Sequence, residues 1–156
     1  MSVSLREVDE YNFWQCINLK VADEQKNFVA PNVRSIAESK VFPYLVPQAI
    51  YADEELIGFA LYGRDPESGN YWIVRLMIDE KFQGKGYGKA ATLGLIEKIR
   101  RLPDSGDIYL SFVPGNAGAE KLYRSVGFER TGETDADGEV IMRLSMKNNV
   151  NRQTAI

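Results

Sequence analysis

Three glycines in six residues, Gln83 to Gly88 (QGKGYG), lie between an apolar run, Tyr71 to Ile78, and a helix-like apolar run, Ala90 to Leu102. Without a Cβ in the way, successive amides can turn toward one point. A helix that follows adds unsatisfied N–H groups and the positive end of its dipole. That is anion-binding chemistry, and Lys85 and Lys89 can add charge to it. A P-loop is excluded, because its first glycine would fall on Gln83 and its Ser/Thr on Ala90. A dinucleotide fingerprint is matched formally by Gly86, Gly88 and Ala91, but the strand should run straight into the first glycine and here ends near Asp79. Two readings stay open on this loop alone: a third pattern, Q-x-x-G-x-G on Gln83, Gly86 and Gly88, or a glycine-rich turn without a ligand.

The rest of the reactive inventory is narrow. The chain of 156 residues contains no histidine, so the usual general base and the usual zinc ligand are both missing. Cys16 is the only cysteine; it allows no intramolecular disulfide and no Cys-rich zinc site, and reads as a small core residue. No metal is expected. A net charge of −3 argues against a nucleic-acid partner, which favours a basic face, and leaves a cationic small molecule compatible. No run approaches the ~20 apolar residues of a membrane span, and MSVSLREVDE has neither a basic leader nor an apolar core. A cytoplasmic protein without a membrane partner is expected.

The elements that must position the loop follow from periodicity. Val3 and Leu5 begin a first strand. Glu10 to Ala22 carries apolar residues at helical spacing (Phe13, Ile17, Val21, with Trp14 alongside), and Asn32 to Lys40 follows Pro31 as a second helix. QAIYADEELIGFALYG reads as a hairpin about Asp53-Glu54-Glu55, and YWIVRLMID as the strongest strand. After the glycine loop, Ala91, Leu95, Ile99 and Leu102 form one helical stripe that Pro103 and Gly106 terminate. DIYLSF is a further strand. Asn116 is a good N-cap for a helix that ends at Gly127, and a hairpin about Asp135 to Gly138 closes the chain. The predicted order is β-α-α-β-β-β-α-β-α-β-β, an α+β domain on a mostly antiparallel sheet. It is expected as a single domain over residues 1–146, with residues 147–156 a flexible tail.

Two stretches now stand in order: QGKGYG between strand and helix, and GNAGAEKLYRSVGF after the next strand. Together they resemble the signatures of the GCN5-related N-acetyltransferases (GNAT), over roughly Tyr51 to Met146. The longer set GFALYG, RLMIDEKFQGKGYGKAA, GNAGAEKLYRSVGF, TGE and GE is most similar to bacterial spermine/spermidine (diamine) acetyltransferases. The resemblance implies the GNAT fold, a mixed central sheet with helices on both faces, and acetyl-CoA as co-substrate. It implies that the loop (Gln83, Gly84, Lys85, Gly86, Tyr87, Gly88, Lys89) wraps the pyrophosphate. Leu76, Met77 and Ile78 would offer amides to the pantetheine arm and thioester carbonyl, and Asn116 would bind the arm or cap its helix. Tyr123 would protonate the departing sulfur, although a tyrosine beside Leu122 on an amphipathic helix also reads as core. A homodimer is implied as well.

The implied reaction is acetylation of a primary amine by direct attack. A polyamine leads as acceptor; an amino acid, aminoglycoside or protein N-terminus, or a non-catalytic acyl-CoA-binding module, are the alternatives. An alkylamine with a pKa near ~10.4 is free base only about one part in 2,500 at pH 7, a penalty of ~4.6 kcal/mol, so a proton acceptor is needed. Asp79 and Glu38 are the candidates. Some polyamine acetyltransferases carry acids in the middle of the central strand, where this chain has Val74 and Arg75. Arg75 either pairs with an internal acid or favours a substrate with its own carboxylate.

Overall fold

A computed structural model of the chain describes residues 2–146. The elements are β1 (Ser4–Glu7), α1 (Phe13–Asn18), α2 (Asn32–Val41), β2 (Leu45–Ala52), β3 (Glu55–Arg64), β4 (Tyr71–Ile78), α3 (Tyr87–Arg100), β5 (Ile108–Phe112), α4 (Ala117–Ser125), β6 (Glu129–Thr134) and β7 (Val140–Leu144), with short 3-10 turns at Asp23–Gln25 and Glu80–Phe82. Their order is the one predicted. The expected tail at residues 147–156 lies outside the described residues. The strands form one seven-stranded sheet in the order β1-β2-β3-β4-β5-β7-β6. Every neighbouring pair is antiparallel except β4 and β5, which run parallel as a helical crossover through α3 requires.

Side-chain alternation divides the core between two faces. Ile50, Ala60, Tyr62, Ile108, Leu110 and Met142 pack on the side of α3 and α4, with Ala91, Leu95 and Ile99 of α3. Ala49, Phe59, Leu61 and Met77 pack on the other side, with Cys16 of α1 and Ile36 of α2. Two bulges interrupt the alternation. On β3 the register shifts opposite Ile50 and Tyr51, leaving Ile57 unopposed. On β4, Tyr62 pairs with Ile73 and Leu61 with Arg75, so Val74 is the extra residue. Upstream of Val74, Tyr71 and Ile73 face α3; downstream, Leu76 and Ile78 do. An extra residue in one strand of a pair bends the strand and re-aims the side chains beyond it.

The bulge coincides with a parting of strands. β4 pairs with β5 only through Tyr71, Trp72 and Ile73, the last opposite Leu110. From Val74 to Ile78 the β5-facing edge of β4 has no strand against it among the described residues.

The first helical segment is shorter than its periodicity predicts. α1 covers Phe13–Asn18, not residues 10–22, because Leu19 turns extended (ψ 140°). Tertiary hydrogen bonds win over local pattern there: Lys20 N–H donates to Asp79 Oδ2 at 3.0 Å, and its carbonyl accepts from Glu80 N–H at 2.9 Å. The buried face is Asn12 and Cys16, whereas Trp14 is 69% exposed. α3, in contrast, begins at Tyr87, earlier than the apolar run from Ala90 predicts.

Candidate functional site

The parted strands open into a cleft of about 990 Å³, lined by β4 from Trp72 to Ile78, by β5 from Ser111, by the loop from Val21 to Pro31, by the glycine loop and by α4. At one end, Gly84 (φ 77°) and Gly86 (φ 87°) are left-handed, which glycine adopts without the strain a Cβ would bring. Gly86 is the N-cap of α3, and no side chain among the described residues caps that end. The first-turn N–H groups have no intrahelical acceptor, and no acidic residue lies in that turn. A Cβ on Gly88 would meet Leu122 at 3.5 Å, an ordinary contact, and one on Gly84 would meet nothing within 4 Å. Packing within the chain therefore does not demand small residues here, whereas a polyanion close to the backbone does. The donor set fits a pyrophosphate.

Gln83 has a different task from its neighbours. Its Nε2 donates to the Ile78 carbonyl at 2.8 Å and to Gln25 Oε1 at 2.9 Å, clasping the loop to the end of β4. Tyr87, Leu76, Met77 and Ile78 line the cleft. Lys85 and Lys89 are exposed and lie outside its lining; the Lys85 ammonium sits 5.8 Å from the centre of the Phe82 ring.

In the middle of the cleft, Asn116 Oδ1 caps α4 by accepting from Ala119 N–H at 3.2 Å. Its Nδ2 has no acceptor among the described residues, so cap and ligand donor are compatible on one amide. Tyr123 is 9% exposed and meets Phe128 edge-on at 6.0 Å between ring centres. Its hydroxyl, on the cleft lining, has no hydrogen-bond partner among the described residues, and burial pushes the phenol up to about 12. At neutral pH it is a protonated donor without an acceptor.

The other end is charged. Arg75 Nη1 reaches Glu38 Oε2 at 2.9 Å and Ser35 Oγ at 3.1 Å, while Arg34 Nε holds Glu38 Oε1 at 2.8 Å. Hydrogen bonding to Arg75, and then to Arg34, holds the Glu38 carboxyl below its usual range. Two of the three substrate-site residues singled out in the sequence, Glu38 and Arg75, thus pair with each other, and Arg75 takes the internal of its two options. Asp79, the other candidate acid, is 6% exposed. It is spent on backbone: Oδ2 accepts from Lys20 N–H and Oδ1 from Lys81 N–H, each at 3.0 Å. Neither Glu38 nor Asp79 lines the cleft.

Three carboxylates that sequence reasoning passed over do line it. Asp135, Asp137 and Glu139, in the β6–β7 turn, bring oxygens within 4.8 Å of one another. DADGE reads locally as turn chemistry, and Asp135 does make the turn, its Oδ1 accepting from the N–H groups of Asp137 and Glu139 at 2.9 Å each. Only the antiparallel pairing of β7 with β5 brings the turn over the cleft. Cys16 is fully buried, and burial, with Asp9 nearby, pushes its thiol up to about 11, so it is no nucleophile.

The sequence model of the Acetyltransferase (GNAT) family matches residues 10–128. The spermine/spermidine N(1)-acetyltransferase of Bacillus subtilis (strain 168) is 34% identical over 148 residues, 91% of this chain and 97% of that protein. Among solved structures, AAC(6')-Ib in complex with ribostamycin and coenzyme A superposes with a TM-score of 0.80 at 21% identity, over 94% of this chain and 95% of the other. A chimera of the spermidine N-acetyltransferase SpeG from Vibrio cholerae with hSSAT gives 0.74 at 16% identity, over 97% and 99%. The family model spans most of the chain and the Bacillus protein aligns nearly end to end: this chain belongs to the GNAT acetyltransferase family.

Proposed function

We propose that the protein acetylates a primary amine of a polyamine such as spermine or spermidine. As a family member it is an amine N-acetyltransferase with acetyl-CoA as co-substrate. The polyamine reading rests on one observation: the carboxylates lining the acceptor end of the cleft are uncommitted to any cation among the described residues, whereas its arginine, Arg75, is neutralised by Glu38. An acceptor with several ammonium groups suits that end, and the named activity of the Bacillus relative agrees with it. An aminoglycoside is also a polycation, so it is the second reading on the same observation.

Bound acetyl-CoA supplies the thioester that the amine attacks. The amides at Gly84, Gly86 and Gly88 and the start of α3 hold the pyrophosphate, with Lys85 and Lys89 adding long-range attraction. The unpaired edge of β4 at Leu76, Met77 and Ile78 and the Nδ2 of Asn116 align the pantetheine arm, and fixed backbone donors there favour negative charge on the carbonyl oxygen. Tyr123 gives its proton to the leaving sulfur. Residues 1–146 are read as one N-acetyltransferase domain that works as a homodimer in the cytoplasm; light scattering tests the dimer. A thiol-release screen with spermine, spermidine, lysine, an aminoglycoside and a short peptide tests the substrate. Spermine or spermidine is expected to give the highest kcat/KM, and a preference for a carboxylated amine would overturn the proposal.

A further inference from the structure

An ammonium acceptor must lose a proton before its nitrogen can attack, and this chain has no histidine to take it. The two acids expected from the sequence are committed elsewhere, Glu38 to Arg75 and Arg34, and Asp79 to the backbone of Lys20 and Lys81. Among the described residues, the carboxylates that line the cleft are Asp135, Asp137 and Glu139. They are not equivalent. Asp135 uses Oδ1 to accept two backbone N–H bonds of the turn, and Asp137 is exposed at the turn's tip. Glu139 is half-buried, directly ahead of β7, and shares the cleft with the unpartnered, buried phenol of Tyr123.

We propose that Glu139 is the general base of the acetyl transfer, a role that rests on the amine N-acetyltransferase reading above. Every charged group facing it bears on this. Burial raises its carboxyl above the usual glutamate range, Asp135 and Asp137 from its own turn raise it further, and Ser111 of β5 and Arg75 of β4 partly oppose them. A carboxylate tuned upward holds a proton better and transfers it with less mismatch to an amine. In the step, the Glu139 carboxylate takes one proton from the ammonium, leaving a neutral nitrogen and a carboxylic acid. The nitrogen then forms its bond to the acetyl carbon as the carbon–sulfur bond breaks. The sulfur takes the Tyr123 proton, and the second proton lost by nitrogen restores the phenol. Glu139 returns its own proton to solvent. One amide, one thiol and one released proton balance one ammonium and one thioester.

The test is Glu139→Gln, assayed across pH with whichever panel amine the wild type acetylates. The expected result is a fall in kcat of about 10²-fold or more. The amine KM and, by calorimetry without acetyl-CoA, the amine Kd should move less than about fivefold, as for a single exposed charge contact. The acidic limb of the kcat profile should disappear, and Glu139→Asp should recover part of the rate. A variant that keeps kcat within a few-fold and retains the acidic limb overturns the assignment. So does one that loses amine affinity with kcat intact, which would make Glu139 an ammonium anchor. Should the variants fail to fold, carboxyl NMR of the wild type decides: Glu139 is expected to titrate above the usual glutamate range, and titration within it sinks the proposal. If the wild type binds acetyl-CoA and acetylates no panel amine, the enzyme reading itself falls and takes this one with it.

Discussion

The two ends of the cleft are built by opposite means. The donor end is backbone: left-handed Gly84 and Gly86, the open first turn of α3, and the free edge of β4, all within Val74 to Ala90. The acceptor end is side chains drawn from distant elements: Arg34 and Glu38 from α2, Arg75 from β4, and Asp135, Asp137 and Glu139 from the β6–β7 turn. An invariant polyanion can be held by amides whose geometry a short local sequence sets. An acceptor that differs between relatives is met by groups that can be exchanged one at a time without touching the backbone. A contiguous region keeps its ligand, and a composite one can change its own.

The sharpest way to break this division is Tyr123→Phe, which removes a proton donor at the junction of the two ends without removing a ring. It should lower kcat by about 10²-fold or more while leaving acetyl-CoA binding in place. Unchanged turnover would remove the phenol from the chemistry and leave it as core packing. Next in size is Gly86→Ala, which forces a Cβ into a left-handed backbone at a cost of about 1–2 kcal/mol. It should raise the acetyl-CoA KM about five- to tenfold and leave the amine KM alone; an equal rise in both would deny that the ends are separable. Arg75→Met tests the other end. It leaves Glu38 with only Arg34, and should cost about 1 kcal/mol of stability, a few degrees in Tm, with acetyl-CoA affinity unaffected. A tighter response to carboxylated amines in that variant would contradict the internal role of the arginine.

The smallest effect lies outside both ends. Glu120 takes Arg130 and Arg124 as partners, and its carboxyl is held down from 4.5 to about 2, by Arg130 first. A depressed carboxyl stabilises the folded state fully above its unfolded pKa, and that contribution fades as pH falls through about 4.5 toward 2. Glu120→Gln should therefore lower Tm slightly at neutral pH and make the acid side of the Tm profile shallower. An unchanged profile would show that this exposed cluster contributes nothing.

Legibility in the sequence divides along the same line. The element order, the place of the glycine loop between strand and helix, the Asn116 cap and the Gly127 stop were legible because each depends on a few neighbouring residues. The end of α1 was not, because Asp79, far along the chain, takes the Lys20 N–H that a longer helix would need. Glu38 and Asp79 looked available because only half of their partners are local: Arg34 and Lys81 lie within four residues, but Arg75 and the Lys20 N–H come from distant parts of the chain. DADGE looked like a turn because it is one; its position over the cleft comes from the pairing of β7 with β5.

Val74 can be viewed as a frameshift in three dimensions. A strand has two phases as a codon has three, and one inserted residue exchanges them for everything downstream. Removing Val74 would restore the phase of Tyr71 and Ile73 through to the strand's end. Leu76 and Ile78 would stay on the α3 face and Arg75 on that of Glu38, but without the bend the edge beyond Ile73 would be free to zip onto β5. The seam would close over the cleft and leave a better-paired, inert sheet. The opening would then depend on one residue whose side chain need do nothing, only occupy a place in the count.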